Sequence, residues 1–221
     1  MFYVLLALRR KLRDGASGLP AEADLSTLLD LVAVGTLADL VPLDVNNRAL
    51  VGAGLRRLRA GQGCAGLRAL IEVSGRETAK LTAADIGFAI APRLNAAGRL
   101  EDMAIGIECL LTDDAIQAAE LANILHGINA ERRGVQQQMT DEAESALARI
   151  GHDAEGQVPI ALCLFDPEWH PGVVGLVASK MKEKLHRPII AFAPAEPGSS
   201  TLRGSARSIP GFHIRDALAN V

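Results

Sequence analysis

The chain has 221 residues, 49% of them hydrophobic, 22% charged and 3% aromatic, with a formal net charge of -3. That is enough apolar chain for the core of a soluble globular protein, as one large domain or two modest ones. The few aromatics exclude ligand binding dominated by base stacking, and they require a core of Leu, Ile, Val and Ala.

In chain order, "MFYVLLALRRKLRDG" comes first. Its apolar run is too short to span a bilayer, and its positive charges follow the run, unlike a secretory signal. It reads as an amphipathic helix. No capping residue precedes Phe2, so Met1 is expected to mark a boundary inside a larger protein. From Ala21 to Leu111 the segments "LSTLLDLVAVGTLADLVPL", "NNRALVGAGLRRLRAG", "AGLRALIEVSG", "TAADIGFAIAPRLNAAG" and "EDMAIGIECLLT" space apolar residues three or four apart, between Gly, Pro and Asn punctuation. That is a compact helical region.

A single helix is predicted from Asp113 to Gly151, with Thr112 or Asp113 as N-cap and Gly151 as stop. Unbroken, it is roughly 55 Å long at ~1.5 Å per residue. Its first half is broadly apolar (Ile116, Leu121, Ile124, Leu125, Ile128), whereas its second keeps a narrower stripe of Val135, Met139, Ala143, Leu147 and Ile150. A helix that narrows its buried face in this way is leaving one domain for another, and Gly134 tolerates a bend at the exit.

After the polar "HDAEGQVP", the run "IALCLF" predicts a buried strand, "VVGLVASKMKEKL" a helix, "RPIIAFAP" and "TLRGSARSI" two more strands, and a last helix starts near His213. The fold class is therefore α/β, with boundaries at 1–112, 113–151 and 152–221. There is no internal repeat, and the one low-complexity stretch is "PAEPGSS".

Several stretches carry candidate chemistry. Asp30 and Asp39 lie in an aliphatic run, where a carboxylate is costly unless paired or bound to a cation. Asp39 is a candidate ligand for a hard divalent metal. The plainer reading is a helix cap or an ion pair, and one carboxylate alone makes no metal site. In "APRLNAAGRL", Arg93, Asn95 and Arg99 gather at a break marked by Pro and Gly; they are either solvated charges and a turn residue, or an anion grip. In "RGSARS", Arg203, Ser205 and Arg207 share one face of a strand, as a phosphate grip or as the charges that keep an edge strand from aggregating. His170 precedes a helix start whose amides can meet an anion, with Gly172 allowing close backbone approach. The other histidines are scattered, and Trp169 reads as a packing residue. Cys64, Cys109 and Cys163 lie far apart and read as buried thiols in a reducing cytoplasm. P-loop, G-x-G-x-x-G, G-x-S-x-G and H-E-x-x-H signatures are absent, which removes triphosphate, dinucleotide, serine-hydrolase and zincin readings.

Taken in order, "DLVAVGTLADLVPLDVNNRALV", "APRLNAAGRLEDM", "LLTDD", "INAERR", "DPEWHPGVVGLVASK" and "GSARSIPGFHI" resemble the RecJ family of 5'-to-3' exonucleases specific for single-stranded DNA, within the DHH phosphoesterase superfamily. The resemblance implies the following roles. Residues 1–112 are the C-terminal part of a DHH domain, 113–151 a connector helix and 152–221 part of a DHHA1 substrate-binding domain. Asp39 is a ligand for Mn2+ or Mg2+ in a two-metal site, supported by Asp30. Arg93, Asn95 and Arg99 contact the DNA strand. Ser205 and Arg207, with Arg203, clamp a terminal 5' phosphate, and His170 faces the same cleft. Guanidinium forks from two distant segments are thus expected to converge on one strand end. The implied setting is cytoplasmic repair and recombination on 5'-phosphorylated single-stranded DNA, with a single-strand-binding protein or a helicase as partner and no membrane.

The departures are an N-terminal Asp-rich motif, a "DHH" triplet and a "GGH" segment, none of which occurs. The chain therefore reads as the middle of such an enzyme, inactive by itself. Two alternatives remain: a DHH–DHHA1 phosphodiesterase of short oligonucleotides or cyclic dinucleotides, and a non-catalytic scaffold that binds DNA or a protein partner. The net charge argues against DNA unless the arginines line a locally positive channel.

Overall fold

The computed structural model describes residues 1–14, 24–150 and 159–220, which gather into two compact units, Met1–Asn129 and Ala130–Val221. The first unit is helical. α1 (Phe2–Asp14) carries Lys11 and Arg13 in its last turn, where cations complement the helix dipole. α2 (Leu29–Ala38) follows a short 3-10 turn capped by Asp24, whose carboxylate accepts from the Ser26 N–H at 3.0 Å. α3 (Val45–Arg59) is capped by Asp44, which accepts from the Asn47 N–H at 2.8 Å. α2 and α3 pack so closely at Gly54 that an added Cβ would lie 2.1 Å from the Leu29 carbonyl oxygen. Only glycine allows that crossing.

α4 (Ala65–Val73) leads to a single run of helix: α5 (Ala83–Asp85), a widened π turn (Ile86–Ile90) and α6 (Ala91–Leu100). Thr82 and Asp85 close a reciprocal capping box at its start. The wide turn ends where the Ala91 N–H reaches the Ile86 carbonyl. Pro92 comes next, inside this continuous run, so the widened turn lies where the chain has no N–H to donate back to the preceding turn. "APRLNAAGRL" is thus helix throughout instead of a break. Its proline follows the widened turn, and Gly98 lies inside the helix.

α7 (Ala104–Leu111) and α8 (Ala115–Ile150) complete the helices of this region, α8 running on into the second unit. Asp114 caps α8 by accepting from the Ile116 N–H at 2.8 Å, one residue later than expected, because Thr112 forms its own turn with the Asp114 N–H. Gly151, the expected stop, lies outside the described residues, as does most of "HDAEGQVP". The buried stripe of the first half of α8 is Ala118, Ala122 and Leu125, at 0% exposure, whereas Ile116 and Ile124 face solvent. In the second half Met139 and Ala143 are buried, as the narrower stripe predicts. The first unit's core joins Leu55 and Leu58 with Leu67, Leu70, Ile86, Ile90 and Leu94, and among the described residues it contains no aromatic side chain. Each such residue fully buried contributes about 1.5–3 kcal/mol.

In the second unit, β1 (Leu162–Phe165), α9 (Val174–Leu185), β2 (Ile189–Pro194), β3 (Leu202–Arg207) and α10 (Ile214–Ala219) form a three-stranded mixed sheet with helices, in strand order β1-β2-β3. β1 and β2 are parallel through the α9 crossover, and β2 and β3 are antiparallel. The α/β class and the three strands agree with the sequence expectation. α9 stops at His186, whose left-handed backbone (φ 52) lets its N–H bond the Lys182 carbonyl just before Pro188. α9 packs on β2 and β3, burying Val177, Ala178 and Met181 with Ile189, Ala191 and Ala193.

One expectation is corrected here. Cys163 is exposed, because β1 alternates and turns Leu162 and Leu164 inward, leaving Cys163 and Phe165 outside. Trp169 is the packing residue expected, 5% exposed, with its indole N–H donated to Glu142 at 2.9 Å.

Candidate functional site

The better-built candidate site lies in the second unit. Register places Arg207, Ser205 and Arg203 opposite Ile189, Ala191 and Ala193, the residues beneath α9. The three side chains therefore share one face, as alternation predicts. Arg207 donates through Nε to Ser179 Oγ at 2.7 Å, and through Nη1 to Ser205 Oγ and to the Ala206 carbonyl, both at 2.8 Å. Ser179 in turn donates to the Gly175 carbonyl, one turn back along α9, at 3.0 Å.

The guanidinium lies directly over the first turn of α9. A Cβ on Gly175 would stand 2.8 Å from Arg207 Nη2 and 3.0 Å from Ser205 Oγ. Among the described residues no carboxylate pairs with Arg207, and its Nη2 donates to nothing. Fixed in place by hydroxyls and a carbonyl, the group has no compensating charge among the described residues. That is the state an anion site requires. Ser179 and Gly175 were not candidates from sequence, although their spacing of four puts both on one face of α9.

Arg203, toward the other end of β3, is exposed. His170 sits in the turn before α9, where its Nδ1 accepts from the Gly172 N–H at 3.1 Å and its carbonyl from the Val173 N–H. This histidine shapes the entry to the helix and keeps Nε2 outside that bond.

In the first unit, α6 divides its three candidates. Asn95 and Arg99, four residues apart, are both exposed on one face. Arg93 points inward and is 8% exposed, donating to the Ala89 carbonyl at 2.6 Å and to His126 Nδ1 on α8 at 3.1 and 3.3 Å. Its guanidinium ties the widened turn to α8, a bracing position in place of the solvent-facing one that a direct grip on a strand implies. Sequence spacing carried the signal: with 3.6 residues per turn, position 93 cannot face the same way as 95 and 99.

Asp30 and Asp39 separate just as clearly. Asp30 is 1% exposed and accepts from the Leu31 N–H at 2.7 Å and the Cys64 N–H at 2.8 Å. It braces the start of α4 against α2. Asp39 is exposed at the C-terminal end of α2 and makes no side-chain hydrogen bond or ion pair among the described residues. A carboxylate there sits at the unfavourable end of the helix dipole, so the fold gives no reason for it. Leu40, next in the chain, takes a left-handed backbone (φ 52) that is unusual for a branched residue. Among the described residues there is no group of three or more His, Cys, Asp or Glu that could hold a metal ion. These residues do not by themselves fit a divalent site, and Asp39 can supply at most one carboxylate to one. No helix among the described residues is long and apolar enough to cross a membrane.

Comparison with known proteins connects these features. Residues 156–221 match the DHHA1 domain family. The chain is 51% identical to the single-stranded-DNA-specific exonuclease RecJ of Dickeya dadantii and 50% identical to that of Escherichia coli, in each case over 98% of this chain and 38% of the relative. It thus spans well under half the length of the curated relatives it matches. Among solved structures, RecJ from Thermus thermophilus in complex with Mg2+ superimposes with a TM-score of 0.79 at 38% identity, covering 99% of this chain and 31% of that one. An exonuclease RecJ bound to manganese gives a TM-score of 0.75 at 38% identity, over 99% of this chain and 50% of that one. Along nearly its whole length this chain is similar in sequence and in fold to one segment of RecJ exonucleases, and its C-terminal part matches the DHHA1 domain family.

Proposed function

We propose that this chain is the strand-gripping part of a divalent-metal-dependent exonuclease that hydrolyses single-stranded DNA from a 5'-phosphorylated end, in repair and recombination. The observation that carries the proposal is the held, charge-uncompensated guanidinium of Arg207 beside Ser205 and the first turn of α9. In this reading Arg207 and Ser205 take the terminal phosphate, Arg203 adds positive field along β3, and His170 keeps the entry to α9 in shape. Asn95 and Arg99 contact the strand, Arg93 braces α6, and Asp30 braces α4 beneath them. Asp39 would offer a carboxylate to Mn2+ or Mg2+, which, when bound, would supply an activated water and charge stabilisation. The residues of this chain bind and orient, which confines the reacting end and lowers the entropic part of the barrier. A single-strand-binding protein or a helicase is the protein partner that fits such a substrate.

The test is fluorescence anisotropy of this chain with a 3'-labelled single-stranded oligonucleotide carrying either a 5' phosphate or a 5' hydroxyl. The phosphate is expected to bind about tenfold more tightly, the scale of a charge-assisted contact, and affinity is expected to fall steeply with salt. Equal binding of the two ends, or a flat salt response, removes the reading. With Mn2+ added, the chain alone is expected to release no nucleotide.

A further inference from the structure

We propose that Ser179 and Gly175 of α9 are positioning residues for the Arg207–Ser205 pair, and that they set how strongly a terminal phosphate is preferred over a terminal hydroxyl. The inference rests on the proposed phosphate clamp and goes beyond it. β3 alone cannot hold Arg207 in register with Ser205, because an arginine on a strand has several rotatable bonds between the backbone and its charge. Three observations supply the missing constraint. Ser179 Oγ accepts from Arg207 Nε at 2.7 Å. The same hydroxyl donates to the Gly175 carbonyl at 3.0 Å, so its single proton is committed and its lone pair is aimed at the guanidinium. Gly175 lacks the carbon that would sit 2.8 Å from Arg207 Nη2 and 3.0 Å from Ser205 Oγ.

Together these contacts choose which guanidinium nitrogens are spent. Nε and Nη1 are engaged with the protein, and Nη2 is left beside Ser205 over the helix N-terminal turn. A phosphate oxygen meeting Nη2 is also within reach of the Ser205 hydroxyl side of the pair. Releasing Nε from Ser179 allows the fork to rotate, and adding a methyl at Gly175 pushes Nη2 away. The nearest atom a Gly175 methyl meets, Arg207 Nη2, is the end of a flexible side chain, so the fold tolerates it while the clamp does not. Alanine also favours helix over glycine, so this change leaves stability level or raised. A merely structural role for Gly175 predicts a lower melting temperature.

The experiment measures, for this chain and its variants, the ratio of affinities for 5'-phosphate and 5'-hydroxyl oligonucleotides by anisotropy, with melting by circular dichroism alongside. Ser179→Ala and Gly175→Ala are each expected to reduce the ratio by about five- to tenfold, as loss of one charge-assisted hydrogen bond implies. Ser179→Thr, which keeps the hydroxyl, restores most of it, and Gly175→Ala does not lower the melting temperature. Arg207→Ala separates the two levels. If Arg207→Ala abolishes the preference while Ser179→Ala and Gly175→Ala retain it, the positioning role is overturned and the clamp stands. If Arg207→Ala leaves the preference intact, or the unaltered chain has none, both fall.

Discussion

Arg93 in the helical unit and Arg207 in the sheet unit are both arginines held by the protein's own acceptors, yet they are put to opposite uses. Arg93 is 8% exposed and reaches an imidazole on α8 and a carbonyl of the widened turn, so its charge is consumed in joining elements. Arg207 is only half-buried, its acceptors are two hydroxyls and the neighbouring carbonyl, and Nη2 is left over. On the proposed reading of Arg207, hydrogen bonding does not disqualify an arginine from ligand binding. What decides is whether the bonds leave a donor without an acceptor and its charge unmatched.

Substitution at each position sharpens that contrast. The largest expected effect is on stability: Arg93→Ala should cost about 2–4 kcal/mol in denaturant melts, because it strands the acceptors at Ala89 and His126 in a mostly buried place. Arg207→Ala should cost about 1 kcal/mol or less by the same measurement, since its site is partly open, while removing most of the preference for a 5' phosphate. If the two variants exchange these signatures, the comparison is broken.

Arg99→Ala tests the exposed face of α6. It should weaken binding of 5'-phosphate and 5'-hydroxyl strands alike and lower the slope of log affinity against log salt by about one, as for a lone phosphate contact. An effect confined to the phosphorylated strand would move Arg99 into the clamp.

The smallest effects concern the thiols. Burial pushes Cys109 up to about 11, and it raises Cys64 as well, whereas Cys163 is exposed. Alkylation by iodoacetamide at neutral pH should mark Cys163 first and Cys109 only on unfolding. The raised Cys109 value means that the folded state holds its proton longer than the unfolded chain does. Its contribution to stability is therefore complete below the ordinary thiol range and is lost as pH rises through about 11. Melts across that alkaline window should show the decline, and Cys109→Ala should flatten it.

How much could be read in advance follows the range of the interactions. The helical segments, the long connector, the three strands and the shared face of Arg203, Ser205 and Arg207 all came from periodicity, because 3.6-residue and two-residue repeats are local properties of the chain. The order of the motifs also carried the likeness to RecJ, since each quoted segment survives in sequence whatever its packing.

Tertiary structure alone decided which polar residues look inward. Arg93, Asp30 and Ser179 find partners 33, 34 and 28 residues away, at His126, Cys64 and Arg207. No local pattern encodes such a distance. Burial depends on what the folded chain lays across a side chain. For this reason one arginine of "RLNAAGR" became a brace and another stayed at the surface, and a serine and a glycine with no signature of their own came to lie beneath the guanidinium of Arg207.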